Sequence, residues 1–170
     1  KLLSVNQHWM RKLSVEDFIL QGDFQVSGTL KLKKIVPLLK DRARTFMEAR
    51  EMLSGELSCL FNEPILNRSQ LVLKEPEERT GMTKSALENV LGAIKTFPED
   101  VSPDTVKETL MQLADAEEVK GKGGRGAMLW PLRYALSGQE RSPDPFTLTS
   151  ILGSSEAISR IEKAIAILER

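Results

Sequence analysis

Apolar residues in the second half of the chain recur at the spacing of an α-helix. Between residues 87 and 97 they occupy positions i, i+3, i+4, i+7 and i+10, which form one face of a helix. Two later stretches show the same kind of spacing. The apolar residues of the three stretches are Leu87, Val90, Leu91, Ile94 and Phe97; Val106, Leu110 and Leu113; and Ile158, Ile161, Ile165 and Leu168. Because Gly, Pro and Ser separate these stretches, the pattern predicts a series of short amphipathic helices.

The composition agrees with a helical fold. Aromatic residues make up only 5 % of the chain and runs of β-branched residues are scarce, which argues against a sheet. We therefore predict an all-α fold. Apolar residues make up 41 % of the 170 residues, enough for one domain or two small ones. The sequence contains neither a long apolar stretch nor a recognisable signal peptide, so we expect a cytoplasmic protein without membrane contact.

Local signals predict where several helices begin and end. Ser14 with Asp17 is typical of an N-terminal cap. A helical pattern runs from Ile35 to Phe61, with Pro37 in its first turn and Gly55 as a point where it divides. Further starts are predicted at Thr83, at Ser102-Pro103, at Trp130-Pro131 (ending at Gly138), at Ser142-Pro143 (ending at Gly153) and at a cap formed by Ser154 or Ser155.

The least regular part of the chain lies between residues 62 and 82. It contains Pro64, Pro76, Gly81 and the acidic pair Glu77-Glu78. Such a segment is typical of a connection between two halves. We therefore predict a first helical subdomain over residues 1–75 and a second over residues 76–170, with the boundary near Glu75.

Positive charge is unevenly distributed along the chain. The 24 basic and 24 acidic residues cancel, yet residues 1–50 hold ten basic and five acidic side chains. Basic residues concentrate between Lys31 and Arg50, and again between Lys120 and Arg133, where no acidic residue occurs. Each cluster alone is typical of a solvated helix face. Two clusters in a neutral chain are the pattern expected of local phosphate contacts.

The sequence offers little material for catalysis. His8 is the only histidine and Cys59 the only cysteine, so neither a metal site nor a catalytic triad is predicted. The glycine-rich stretch from Gly121 to Gly126 lacks the spacing and the preceding strand of a nucleotide-binding loop. It is either a flexible connector or a place where Lys122 and Arg125 reach a phosphate.

Several motifs resemble the C-terminal region of bacterial-type glutamyl-tRNA synthetases, which are class I enzymes. The motifs occur along this chain in the same order as in that family. The densest is Leu129-Trp-Pro-Leu-Arg-Tyr-Ala-Leu-Ser-Gly138. The others are Lys1-Leu2 with Asn6, Trp9 and Arg11; Asp41-Arg42-Ala43 with Thr45-Phe46; Ser142-Pro143; Ile151-Leu-Gly153; and Arg160-Ile161 with Ala164-Ile165. The resemblance covers nearly the whole chain.

The resemblance implies a function in tRNA aminoacylation. In that family this region forms two helical subdomains, an anticodon-binding helical cage, while the catalytic domain lies upstream. We therefore expect a module that binds glutamate tRNA, is not catalytic by itself and needs no cofactor. Its parent, a glutamate–tRNA ligase, would use ATP and Mg²⁺. The implied partners are that tRNA and the upstream catalytic domain, in a monomer of the bacterial cytoplasm or an organellar matrix.

The resemblance also implies roles for individual residues. It assigns the third anticodon base to Arg42, and the other two to a pocket formed by Arg133, Ser142 and Pro143. Single-stranded bases can be read in this way because arginine both stacks on a base and hydrogen-bonds to its edge. Contacts with the tRNA backbone are expected from a further group, namely Lys40, Arg44, Lys122 and Arg125.

These residues also allow other interpretations. Arg42 could pair with Glu48 or Asp41 on a solvated face, and Arg133 could cap or pair within the helical core. Trp130 is interpreted as a core anchor rather than as a stacking surface for bases. The alternative function is a helical protein-interaction domain that does not bind RNA.

Overall fold

The computed structural model describes residues 2–72, 78–116 and 124–169, and for residues 78 and 79 the backbone alone. These residues form helices joined by turns, and no strand occurs among them, so the all-α prediction is confirmed. The chain divides into two compact units, Lys1–Asn62 and Glu63–Arg170.

The first unit contains four α-helices and one turn of 3₁₀-helix in its described part. They are α1 (Leu2–Lys12), α2 (Val15–Gly22), α3 (Thr29–Arg42), α4 (Phe46–Ser54) and the 3₁₀ turn Ser58–Leu60. Phe18 lies at the centre of the core, where its ring packs against the rings of Phe24 and Phe46 at centroid distances of 5.7 and 5.2 Å. Cys59 is buried in this unit.

The second unit contains six α-helices in its described part. They are α5 (Arg68–Leu71), α6 (Glu78–Ile94), α7 (Pro103–Ala114), α8 (Gly126–Ser137), α9 (Pro145–Leu152) and α10 (Ser154–Leu168). Its core comes largely from the predicted apolar faces, and Leu87, Ile94, Leu110 and Ile161 are fully buried. In this unit the apolar residues that recur about every 3.6 positions in the sequence form the buried faces of the helices.

Two predicted helix starts are wrong because the helices begin earlier. Pro37 lies in the interior of α3, which begins at Thr29 directly after Gly28. The positive φ of Gly28 (93°) turns the chain into the helix, a conformation that glycine adopts without strain. Similarly, α6 begins at Glu78 rather than at Thr83. Gly55 does end α4, but the predicted long helix is also broken at residues 43–45, where α3 has ended and α4 has not begun.

Two further starts in the second unit are displaced along the sequence. Helix α8 begins at Gly126 and contains Pro131 in its interior, so Trp130 does not open it. Helix α9 is capped by Asp144, whose carboxylate accepts from the N–H of Thr147 at 2.9 Å. The predicted start at Ser142-Pro143 is therefore wrong by two residues, because Asp144-Pro145 is a second signal of the same kind and the helix begins there.

The cap of α10 comes from outside that helix. Neither Ser154 nor Ser155 is its N-cap, and Gly153, which is, offers no side chain. Oε2 of Glu99 instead accepts hydrogen bonds from Ser154 Oγ (3.0 Å), Ser155 N (3.0 Å) and Ser155 Oγ (2.8 Å). A side chain at Gly153 would collide with this carboxylate, so the absence of a Cβ allows the contact.

The division between the units lies earlier than the predicted boundary. Glu75 is outside the described residues, whereas residues 63–72 belong to the second unit. They are held there by long-range polar contacts, because the N–H of Asn67 donates to Tyr134 Oη at 3.2 Å and Glu63 forms an ion pair with Lys163. A boundary drawn at residues 75 and 76 would separate these partners.

Candidate nucleic-acid interface

In the first unit, three of the predicted tRNA-contacting residues lie at one corner, which we call the α3–α4 corner (residues 40–45). Helix α3 ends at Arg42, and Ala43 has an extended conformation that redirects the chain. Thr45 then caps α4 by accepting from the N–H of Glu48 at 3.0 Å. The corner therefore places Arg42 at a helix end and Arg44 in the short connection.

Arg42 is partly exposed and paired with a residue that the sequence did not suggest. Its Nη1 lies 3.3 Å from Oε1 of Glu56, and the two side chains are 42 % and 36 % exposed. The alternative pairing with Glu48 or Asp41 is not the one observed, since Glu48 binds Arg44 and Asp41 binds Arg11. Ion pairs this exposed are worth little, about 0–1 kcal/mol, so Arg42 can exchange partners.

Arg44 is engaged more firmly. Its Nη2 and Nε lie 2.9 and 3.3 Å from the two carboxylate oxygens of Glu48, and its backbone N–H donates to the same carboxylate at 2.7 Å. The side-chain hydrogen bond is the main reason why the pKa of Glu48 is lowered and that of Arg44 raised. For Arg44 to contact a phosphate, that anion would have to displace a bidentate carboxylate.

Lys40 points back into its own unit. Its Nζ donates to the carbonyl of Leu13 at 2.5 Å and lies 5.6 Å from the centre of the Phe18 ring. Half-buried in this way, the ammonium group is less accessible than a surface lysine. Its expected contact with the tRNA backbone stays a prediction.

In the second unit, Arg133 lies between an indole ring and a turn. Its guanidinium lies 4.6 Å from the ring centre of Trp130, and Nη2 donates to the carbonyl of Glu140 at 3.0 Å. Trp130 is half-buried and donates from Nε1 to the carbonyl of Gln70 at 3.2 Å. The indole therefore anchors the chain and also supports Arg133.

Ser142 and Pro143 belong to the turn that Arg133 binds. The turn follows α8 after Gly138, whose φ of 66° ends the helix as predicted. Ser142 is half-buried and Pro143 is buried. The structure thus brings Arg133 to the segment that contains both residues. Because its ring is buried, Pro143 acts first of all on the shape of this turn.

Arg125 is exposed and forms a bidentate pair with Asp115. Nε and Nη2 lie 2.6 and 2.8 Å from the two carboxylate oxygens, and this hydrogen bonding raises the pKa of Arg125. Lys122, predicted to act beside it, lies outside the described residues. A phosphate, like a carboxylate, presents two oxygens that accept the parallel N–H groups of a guanidinium, so Arg125 could exchange one for the other.

Over the described ranges, no group of three or more His, Cys, Asp or Glu side chains is placed to hold a metal ion. Among the helices described above, none combines the length and apolarity needed to cross a bilayer.

Both units are built of α-helices in their described parts and carry partly exposed arginines at helix ends and beside turns. The model of the family described as "Anticodon binding domain" matches residues 7–165. The chain belongs to this family.

Curated relatives agree with that assignment. The chain is 30 % identical to a glutamate–tRNA ligase of Clostridium botulinum (strain Eklund 17B / Type B) over 171 residues, covering 99 % of this chain and 34 % of that protein. It is 31 % identical to the glutamate–tRNA ligase of Clostridium acetobutylicum over 177 residues, covering 100 % and 34 %. The chain thus spans about a third of the length of these relatives.

Solved structures show the same similarity. A glutamate tRNA ligase from Elizabethkingia meningosepticum, crystallised in complex with its amino acid, matches 98 % of this chain with a TM-score of 0.67 and 27 % identity. The match covers 32 % of that chain. The resemblance found in the sequence motifs is therefore confirmed.

Proposed function

We propose that this chain is the tRNA anticodon-recognition module of a glutamate–tRNA ligase. The observation that carries the proposal is the anticodon-binding family match, which extends from residue 7 to residue 165 and so reaches through both units. In this role the module binds glutamate tRNA and orients it toward a catalytic domain elsewhere in the parent protein. That parent would use ATP and Mg²⁺, act as a monomer and work in the cytoplasm or an organellar matrix.

Within this proposal, Arg42 reads the third anticodon base. Its support is the position at a helix end, with a side chain 42 % exposed and a single weakly held carboxylate partner recorded opposite it. Arginine can donate two parallel hydrogen bonds to one base edge, which alanine cannot do.

Arg133, with Ser142 and Pro143, is proposed to accept the other two bases. The Arg133 guanidinium lies over the Trp130 ring, 4.6 Å from its centre, and the indole holds it at the turn. A base that contacts the guanidinium from the other side would add a second cation–π contact. Arg125, and with it Arg44, would contact the backbone by exchanging carboxylate for phosphate.

The test is a titration of the 170-residue chain with the anticodon stem-loop of glutamate tRNA and with a stem-loop changed only at the third anticodon base. We expect the unsubstituted chain to bind the glutamate loop with a Kd on the order of micromolar to millimolar and to prefer it over the changed loop. Arg42→Ala should abolish that preference. Lys34→Ala removes an exposed charge from the same helix, so it should weaken both loops alike and keep the preference.

Salt dependence supplies the second arm of the test. The logarithm of the affinity should fall by about 0.7 per log unit of salt for each phosphate contact on a single strand. An affinity that does not change with salt concentration would contradict the proposal. So would a folded chain that binds neither loop at low salt. Either result would favour a protein-interaction domain instead.

A further inference from the structure

The C-terminal end of α3 is held by side chains of another helix. The last carbonyl groups of an α-helix have no partner within it. The carbonyl of Leu39 accepts from the N–H of Ala43 at 2.8 Å, which closes the helix. The next two carbonyls, those of Lys40 and Asp41, accept instead from side chains of α1. These two groups immediately precede Arg42 in the chain.

Arg11 makes the most extensive of these contacts. Its Nε donates to the carbonyl of Lys40 at 3.2 Å, and its Nη2 donates to both the carbonyl and the carboxylate of Asp41 at 3.1 and 3.2 Å. Gln7, one helical turn earlier on α1, donates to the carbonyl of Asp41 at 3.0 Å. A positive charge at this place also interacts favourably with the negative end of the α3 dipole.

Asn6 holds the far side of the same corner. Its Nδ2 donates to the carbonyl of Arg44 at 2.6 Å and also lies 3.4 Å from Sδ of Met10. Because Met10 is fully buried in the core, α1 is fixed where it presents these donors. The α3–α4 corner is thus bound at both ends, at Asp41 and at Arg44, by one rigid element.

Such bracing matters for a side chain that must distinguish two bases. Discrimination at a binding site requires the reading group to be held within about 0.5 Å of its productive position by surrounding contacts. The backbone of Arg42 lies between the braced carbonyls, so its direction is determined by α1 as well as by α3.

We infer that Asn6, Gln7 and Arg11 are positioning residues for anticodon reading, which hold the α3–α4 corner in the conformation from which Arg42 reaches the base. The inference rests on the proposed function of Arg42. It assigns to α1 a role in specificity, separate from any contact of its own with RNA.

Two substitutions test this role. Arg11→Lys keeps the charge but loses the planar fork that spans two carbonyls, and Asn6→Ala removes an uncharged donor. We expect each to lower the ratio of affinities for the two stem-loops by roughly three- to tenfold, as for the loss of one or two hydrogen bonds, with an unchanged salt slope. Lys12→Ala is the control, since Lys12 is exposed on the same helix; it should weaken both loops equally and leave the ratio unaltered.

Amide hydrogen exchange provides a readout that needs no RNA. In Arg11→Lys and Asn6→Ala we expect the N–H groups of Ala43 and Arg44 to exchange about tenfold faster, because the corner opens more often. Core amides, such as that of Ile35, should keep their rates. A general loss of protection throughout the unit would instead indicate a merely structural role and overturn the inference.

The possible failures can be told apart. If both variants discriminate between the loops as well as the unsubstituted chain does, the positioning role is refuted. If the unsubstituted chain itself does not discriminate, the proposed function of Arg42 fails and this inference fails with it. In that case the exchange rates, measured without RNA, still show whether α1 braces the corner.

Discussion

Replacing Glu99 with alanine removes a side-chain cap at the start of α10. One carboxylate oxygen of Glu99 accepts three hydrogen bonds there, from Ser154 Oγ, Ser155 N and Ser155 Oγ. The loss of an N-terminal cap costs about 0.5–2 kcal/mol, and a negative charge at a helix N-terminus contributes a further 0.3–1 kcal/mol or so. Because the site is exposed, the combined loss should lie below the upper limits of these ranges. We therefore expect Glu99→Ala to lower the free energy of unfolding of the second unit by about 2 kcal/mol.

This change is measurable by urea unfolding. With a urea dependence of about 1–3 kcal/mol per molar, the midpoint should fall by roughly 1 M while the slope stays the same. Each unit contains one tryptophan, Trp9 in the first and Trp130 in the second. In a Trp9→Phe background the fluorescence of Trp130 therefore reports on the second unit alone.

Two companion variants make the result specific. Glu99→Gln keeps one acceptor oxygen but loses the charge, so its effect should be intermediate. Glu108→Ala removes an exposed carboxylate from the middle of α7 and should change the free energy of unfolding by less than about 0.5 kcal/mol. A Glu99→Ala midpoint equal to that of the parent, or equal to that of Glu108→Ala, would refute the capping argument.

Two further predictions concern the α3–α4 corner. Glu56→Gln should tighten binding of the glutamate stem-loop up to about fivefold, because Arg42 no longer has to leave an ionic partner; weaker binding would contradict this. The lowered pKa of Glu48 means that its stabilising effect is present above the usual glutamate pKa and is lost as pH falls through the lowered value. Trp9 fluorescence in a Trp130→Phe background measures the urea midpoint of the first unit. The difference in this midpoint between the parent and Glu48→Gln should therefore be constant near neutral pH and vanish in acid. A difference that stays constant at all pH values would refute the stabilising role of the Glu48 carboxylate.

The candidate site shows where motif reasoning works and where it stops. The motifs pointed to Arg42 and Arg133, and both side chains do lie partly exposed at the end of a helix or beside a turn. The ion-pair partner of Arg42 was not predictable, because Glu56 lies fourteen residues beyond it, after an intervening helix. Trp130 precedes Arg133 by three residues on one helix, so their contact follows from helical spacing, whereas the anchoring bond from Trp130 to Gln70 does not.

The same division applies to helix ends. The caps at Ser14 and Ser102 were predicted correctly, because the capping oxygen and the N–H that it binds are three residues apart. The start of α9 was missed because two Pro-containing signals follow one another and the sequence does not rank them. Glu99 was missed because 55 residues separate it from the helix that it caps.

The sequence by itself determined the all-α class, the buried faces of the helices and the family, since each depends on spacing within a single element or on a local motif. Only the tertiary structure decided which residue caps α10, where the units divide and how α1 braces the α3–α4 corner. The physical reason is the same in each case. These features depend on hydrogen bonds and ion pairs between groups that are remote in the chain, and the local sequence pattern does not record which remote group will be near.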